Sequence, residues 1–143
     1  MIQPDPISAK FGSPARVSAA KMVLGAYHFE ALLFPVYSME EVNEVRKRTE
    51  AQFSKADAVP YVYALPPCDR PLARFGDHRE VPQTASKAML QEIEKAKILN
   101  VLIIAARFGS GSPRPNLLLQ AYAKLAQDAI ATAGRAPLTR RHD

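Results

Sequence analysis

Three cations stand beside predicted helix starts in the second half of this chain: Lys87, Arg107 and Arg114. The segments that hold them, residues 75–90 (FGDHREVPQTASKAML) and 100–122 (NVLIIAARFGSGSPRPNLLLQAY), each read as a loop feeding a helix N-terminus. Such a terminus leaves backbone N–H groups unpaired and carries the positive end of the helix dipole. The chemistry on offer is therefore anion binding, phosphate above all, with the cationic side chains adding charge-assisted hydrogen bonds. Phe75 and Phe108 in the same segments have faces on which bases can stack, or they pack back onto the core.

Proton transfer has a thinner basis. Asp77, His78 and Glu80 are adjacent titratable groups, and an Asp–His pair can act as a general base once a third group orients it. No serine or cysteine sits in a nucleophile elbow, His28 and His142 are remote, and the trio reads as solvated loop. The spacings H-x-x-x-H and C-x-x-C are missing, so neither a metal nor a cofactor is expected, and no residue is assigned to catalysis.

The elements that must position these residues follow from pattern. Residues 24–36 read as a strand, and Ser38 with Glu41 forms an S-x-x-E capping box opening a helix to about residue 55, with Met39, Val42, Val45 and Phe53 inward. Residues 59–65 (VPYVYAL) make a short strand with Tyr61 and Tyr63 on one face and Val62 and Ala64 on the other. Thr84 or Ser86 caps the next helix, to about residue 97. Residues 100–106 (NVLIIAA) form a continuous apolar run, as in a strand covered on both faces. Asn116 is the candidate cap of a last helix through residue 133, which Gly134 ends. An extra strand is expected from residues 13–24 or 69–77.

These elements also carry a resemblance. Asp77, Glu80, Thr84, Ala85, Lys87, Met89 and Leu90 match the pattern S-D-D-G-E-P-S-G-T-A-G-K-P-M-L of the IMPACT/YigZ family. Asn100, Val101, Leu102, Arg107, Phe108, Gly109, Ala121 and Tyr122 fit its N-V-L-V-V-V-T-R-Y-F-G-G and L-x-R-A-Y runs, and Phe29, Ala31, Pro35, Val36, Ser38, Glu40 and Glu41 an upstream one. The resemblance covers about residues 22–133. It implies an α+β fold similar to the second domain of a small-subunit ribosomal protein, with a mixed sheet of about four strands and helices on one face. It also implies that the family-motif loops around Asp77, Glu80 and Thr84 and around Gly109 and Asn116 meet at one end of the sheet. Several family glycines are replaced, by Arg79, Gln83, Ser86 and the run 113–117 (PRPNL), and Asp57 and Ala58 lack the T-H-N that usually follows. Side chains there turn or approach a ligand less freely than glycine.

Charge and composition bound the function. The chain has 143 residues and a formal charge of +5, which favours phosphate-rich partners. The ending RAPLTRRHD adds Arg135, Arg140 and Arg141, a basic tail suited to RNA backbones. The single cysteine, Cys68, allows no internal disulfide and points to a reducing, intracellular setting, cytoplasmic or mitochondrial. No apolar run reaches the about 20 residues that span a bilayer, and no secretory signal opens the chain, so no membrane partner is expected. The expected organisation is a flexible segment 1–21, one domain 22–134 and a basic tail 135–143. Because eukaryotic members regulate a kinase that responds to uncharged tRNA, the resemblance implies a non-catalytic translation-associated domain. It would bind RNA or a ribosomal assembly, an organellar ribosome included, through Lys87, Arg107, Arg114, Arg140 and Arg141. The alternatives are a protein-binding regulator of translation and an enzyme acting on a phosphorylated small molecule.

Overall fold

The computed structural model describes residues 15–66, 72–76, 80, 84–109, 111, 113–134 and 138–140. In chain order the elements are β1 (Ser18–Leu24), β2 (Tyr27–Pro35), α1 (Met39–Gln52), β3 (Tyr61–Leu65), β4 (Leu72–Gly76), α2 (Ala85–Ala96), β5 (Ile98–Leu99), β6 (Val101–Phe108), α3 (Pro115–Ala133) and β7 (Thr139–Arg140). Five strands form one open sheet in the order β1-β2-β6-β3-β4, and β5 pairs with β7 apart from it. The fold is α+β.

The central strand explains the layering. Every residue from Val101 to Arg107 in β6 is buried, so both faces of the sheet must be covered there. Strand periodicity sends Val101, Ile103 and Ala105 to one face, with Phe29, Ala31, Leu33, Val62 and Ala64, against Met89 and Ile93 of α2 and Leu118, Tyr122 and Leu125 of α3. Leu102, Ile104 and Ala106 go to the other, with Leu32, Phe34 and Tyr63, against Val42 and Val45 of α1 and Phe53 just beyond it.

Several expectations are corrected. The sheet is not mixed, because β1–β2, β2–β6, β6–β3 and β3–β4 all pair antiparallel. It has five strands, since both candidate regions supply one. Helices cover both faces and not one, because the second apolar face of β6 demands its own layer and α1 provides it. The expected strand 24–36 is the second arm of a hairpin whose two-residue loop is Gly25–Ala26; Gly25 takes φ +58°, as the first loop residue of a type II′ turn requires. The sheet takes in residues 18–21, which the sequence reading left in the N-terminal segment, and Thr139–Arg140 pairs as β7 within the expected basic tail.

Helix ends follow the chemistry of their residues. Ser38 Oγ accepts the Glu41 N–H (3.1 Å) as in a capping box, while the Glu41 carboxylate reaches one residue past the N-cap to accept the Tyr37 N–H (2.7 Å), and Met39 is exposed. Thr84 occupies the α2 N-cap without a side-chain cap bond. Asn116 does not cap α3. Pro115 takes the first helical position, where its missing N–H and preset φ suit it, and that makes Arg114 the N-cap residue.

Truncation tests the double coverage. Ile103→Ala and Ile104→Ala remove side chains of equal size from opposite faces, and each should cost about 2–5 kcal/mol in urea unfolding. A cost under about 1 kcal/mol for Ile104→Ala alone would mean that α1 does not cover its face.

Candidate functional site

Alternation along β6 places Arg107 on the same face as Ile103 and Ala105, so a guanidinium points into the core at the strand's end. It needs an anion there, and Glu80 supplies one. Arg107 Nε donates to Glu80 Oε2 (2.7 Å) and Nη2 to Oε1 (3.2 Å), a two-pronged pairing of planar groups. Arg107 Nη1 donates to the Gly109 carbonyl (2.6 Å), and the Tyr122 hydroxyl, from the second turn of α3, donates to Glu80 Oε2 (2.5 Å). Residue exposures of 5% for Glu80, 5% for Arg107 and 0% for Tyr122 make this a cluster closed to solvent.

The chain around the cluster is folded to match. Gly109 has φ +126°, and a Cβ there would lie 2.8 Å from the Ala26 carbonyl oxygen and 2.9 Å from the Tyr27 ring, so only glycine fits between β6 and the hairpin turn. Its N–H donates to Asp57 Oδ2 (2.7 Å), and the Asp57 N–H donates back to the Arg107 carbonyl (2.7 Å). The Tyr27 ring lies 5.6 Å from the Arg107 guanidinium, within reach of a cation–π contact. Glu80, Asp57, the β1–β2 turn and Gly109 thus meet at one end of the sheet around Arg107.

The sequence-derived site divides. Arg107 is not an outward anion ligand, because burial and the Glu80 carboxylate consume it. Lys87 and Arg114 are exposed, in the first turn of α2 and at the start of α3, and Asn116 is exposed beside Arg114. Thr84 is buried. Arg140 lies on β7, while Asp77, His78, Arg79, Gln83, Cys68, Arg135 and Arg141 fall outside the described residues. An open groove of about 560 Å³ runs beside the α3 start, lined by Leu24, Arg114, Pro115, Asn116, Leu117 and Gln120. Phe108 packs edge-to-face on Phe53 (6.1 Å between ring centroids), the core alternative to stacking on bases. Glu80 is no solvated loop residue. Two partners were missed: Tyr122, although the A-Y pair placed it in a motif, and Asp57, although its D-A pair was a signal.

Chemically the cluster is arranged to hold its three segments together. Burial first, then the Glu80 charge and the hydrogen bond to it, push the Tyr122 phenol far above its ordinary pKa of 10.0, so it remains a donor. Burial lowers the Arg107 pKa, but the bond and charge of Glu80 outweigh it and leave the net shift upward. Among the described residues, no group of three or more His, Cys, Asp or Glu is placed to hold a metal ion, and no helix is long and apolar enough to cross a membrane.

Glu80→Gln should therefore destabilise the fold by about 3–5 kcal/mol, because it strands the buried guanidinium, and Tyr122→Phe by about 1.5–3 kcal/mol, read in urea unfolding. The pH dependence has a definite sign. The unfolded phenol ionises near 10.0 while the folded one does not, so its stabilisation is complete below that pH and is lost as pH rises beyond it. Ultraviolet titration should show Tyr122 ionising only as the chain unfolds, and ionisation of all five tyrosines in the folded chain would refute the closed cluster.

Comparison with known proteins places this arrangement. The family model described as the Impact N-terminal domain matches residues 27–130. A crystal structure of a hypothetical protein superposes with a TM-score of 0.73 at 19% identity, over 81% of this chain and 57% of that one. The structure of the two-domain translational regulator Yih1 does so with a TM-score of 0.52 at 19% identity, over 92% of this chain and 50% of that one. The chain thus spans little more than half the length of either. No curated protein sequence matched. The matched span takes in most of the chain and both Arg107 and Tyr122 of the buried cluster, and the chain belongs to the Impact N-terminal domain family.

Proposed function

We propose that this chain is a non-catalytic domain that regulates translation by binding, with a ribosomal or other ribonucleoprotein surface as its partner. The observation that carries the reading is the closure of the Glu80–Arg107–Tyr122 cluster: two charged residues of the family motifs, Glu80 and Arg107, are spent on one another, which leaves exposed cations such as Lys87 to meet a partner. Translation enters through the family and through Yih1, which is described as a translational regulator. A nucleic-acid surface is supported by the charge of +5 and by exposed Lys87 and Arg114 at helix starts. The second reading is a regulator of translation that docks on a protein, and the exposed apolar side chains of Val23 and Tyr37 favour it.

Salt separates the two. Each phosphate contact contributes about 0.7–0.9 to the slope of log affinity against log salt. Binding to purified ribosomes should weaken with salt, and Lys87→Gln combined with Arg114→Gln should flatten that slope by about one to two units. Affinity and slope unchanged in the double variant would overturn the ribonucleoprotein reading in favour of a protein partner.

A further inference from the structure

We propose that the outer edge of β1 is a docking strand for an extended acidic peptide of a partner protein, which joins the sheet as a sixth strand. The inference rests on the chain being a binding domain and not on RNA being what it binds.

β1 ends the sheet on one side, so its outward N–H and C=O groups face away from β2 and are available to a new strand. Its described backbone hydrogen bonds beyond the ladder amount to Val17 N–H to Leu33 C=O, on the inner side. A strand laid along this edge would send alternate side chains to opposite faces. Both faces have room for them. On the α3 side, Leu24 borders the groove of about 560 Å³ that Leu117 and Arg114 also line. On the opposite side, a second groove of about 310 Å³ lies along Lys21, Val23, His28, Glu30 and Phe108. Val23, at 61% exposure, is one of three large apolar side chains left in the open among the described residues.

Charge selects the occupant. Among the described residues, Arg16 just ahead of β1 and Lys21 and Arg114 lining the grooves are exposed cations, against the carboxylate of Glu30. The grooves combine those cations with Val23, Leu24, Leu117 and Phe108, so the fitting peptide alternates apolar and acidic residues. A second copy fits poorly. Lys21 is the middle residue of Ser18–Leu24, and symmetric antiparallel self-pairing about it would set Lys21 against Lys21. A lysine on an open edge is also a common guard against indiscriminate pairing.

The test uses the full chain and an octapeptide of alternating valine and glutamate, with alternating valine and lysine as control. The glutamate peptide should slow hydrogen exchange at amides of residues 18–24, and N-methylation of its alternate residues should abolish the effect, since main-chain pairing requires those N–H groups. Lys21→Glu with Val23→Asp, both at exposed positions, should weaken binding at least about tenfold while the thermal midpoint stays close to that of the parent. Four outcomes would overturn the proposal: no protection at β1, equal binding of the lysine peptide, β1 protection that grows with protein concentration alone (a second copy), or displacement of the peptide by polyuridylate from the same amides (RNA). None of these depends on ribosome binding, so failure here leaves the translation reading to its own salt test.

Discussion

A guanidinium buried at the end of the central strand is the constraint around which this domain is arranged. Taking Arg107 out of water costs several kcal/mol, and a buried pair rarely recovers more than that cost, so its value lies in what it specifies. The planar fork of Arg107 accepts the Glu80 carboxylate in one orientation, and the Tyr122 hydroxyl closes the remaining approach from α3. Three segments distant in sequence are thereby held in one register. A slip of β6 by a single residue would turn Arg107 to the α1 face and strand both Glu80 and Tyr122.

The glycine next to this cluster belongs to the same constraint. Arg107 Nη1 needs the Gly109 carbonyl, and that carbonyl is presented because the backbone turns at φ +126° against the hairpin loop. Asp57 then secures the Gly109 N–H, so both backbone polar groups of that residue are satisfied. Gly109 has a Cβ-sized reason to be glycine.

Much of the fold was legible in the sequence. The run 100–106 announced a strand covered on both faces, and the alternation of Tyr61 and Tyr63 with Val62 and Ala64 gave the facing of β3, where the two tyrosine rings stack at 6.4 Å. What escaped were consequences of tertiary pairing. A strand with both faces apolar implies helices on both sides, yet one-sided coverage was inferred from a fold likeness. The motif charges were read as ligands because a sequence does not say which cation meets which carboxylate. Arg107 and Glu80 lie 27 positions apart, and only the antiparallel sheet closes that distance. Gly25 was the signal for the hairpin, overlooked because its neighbours on both sides have strand character.

The start of α3 is shaped by its prolines. A helix N-terminus offers its first unpaired N–H groups to an anion, but Pro115 at the first position has none to give. Pro113, itself buried, presets φ in the approach to the helix, as Pro115 does at its first residue. The result is a helix entry with one donor fewer, flanked by an exposed Arg114 side chain. A point charge on a firm edge suits a large partner that brings its own shape, whereas a small anion needs backbone brought to it from several sides. The proline-flanked start of α3 fits the proposed docking surface, as does a core in which Glu80 and Arg107 hold each other.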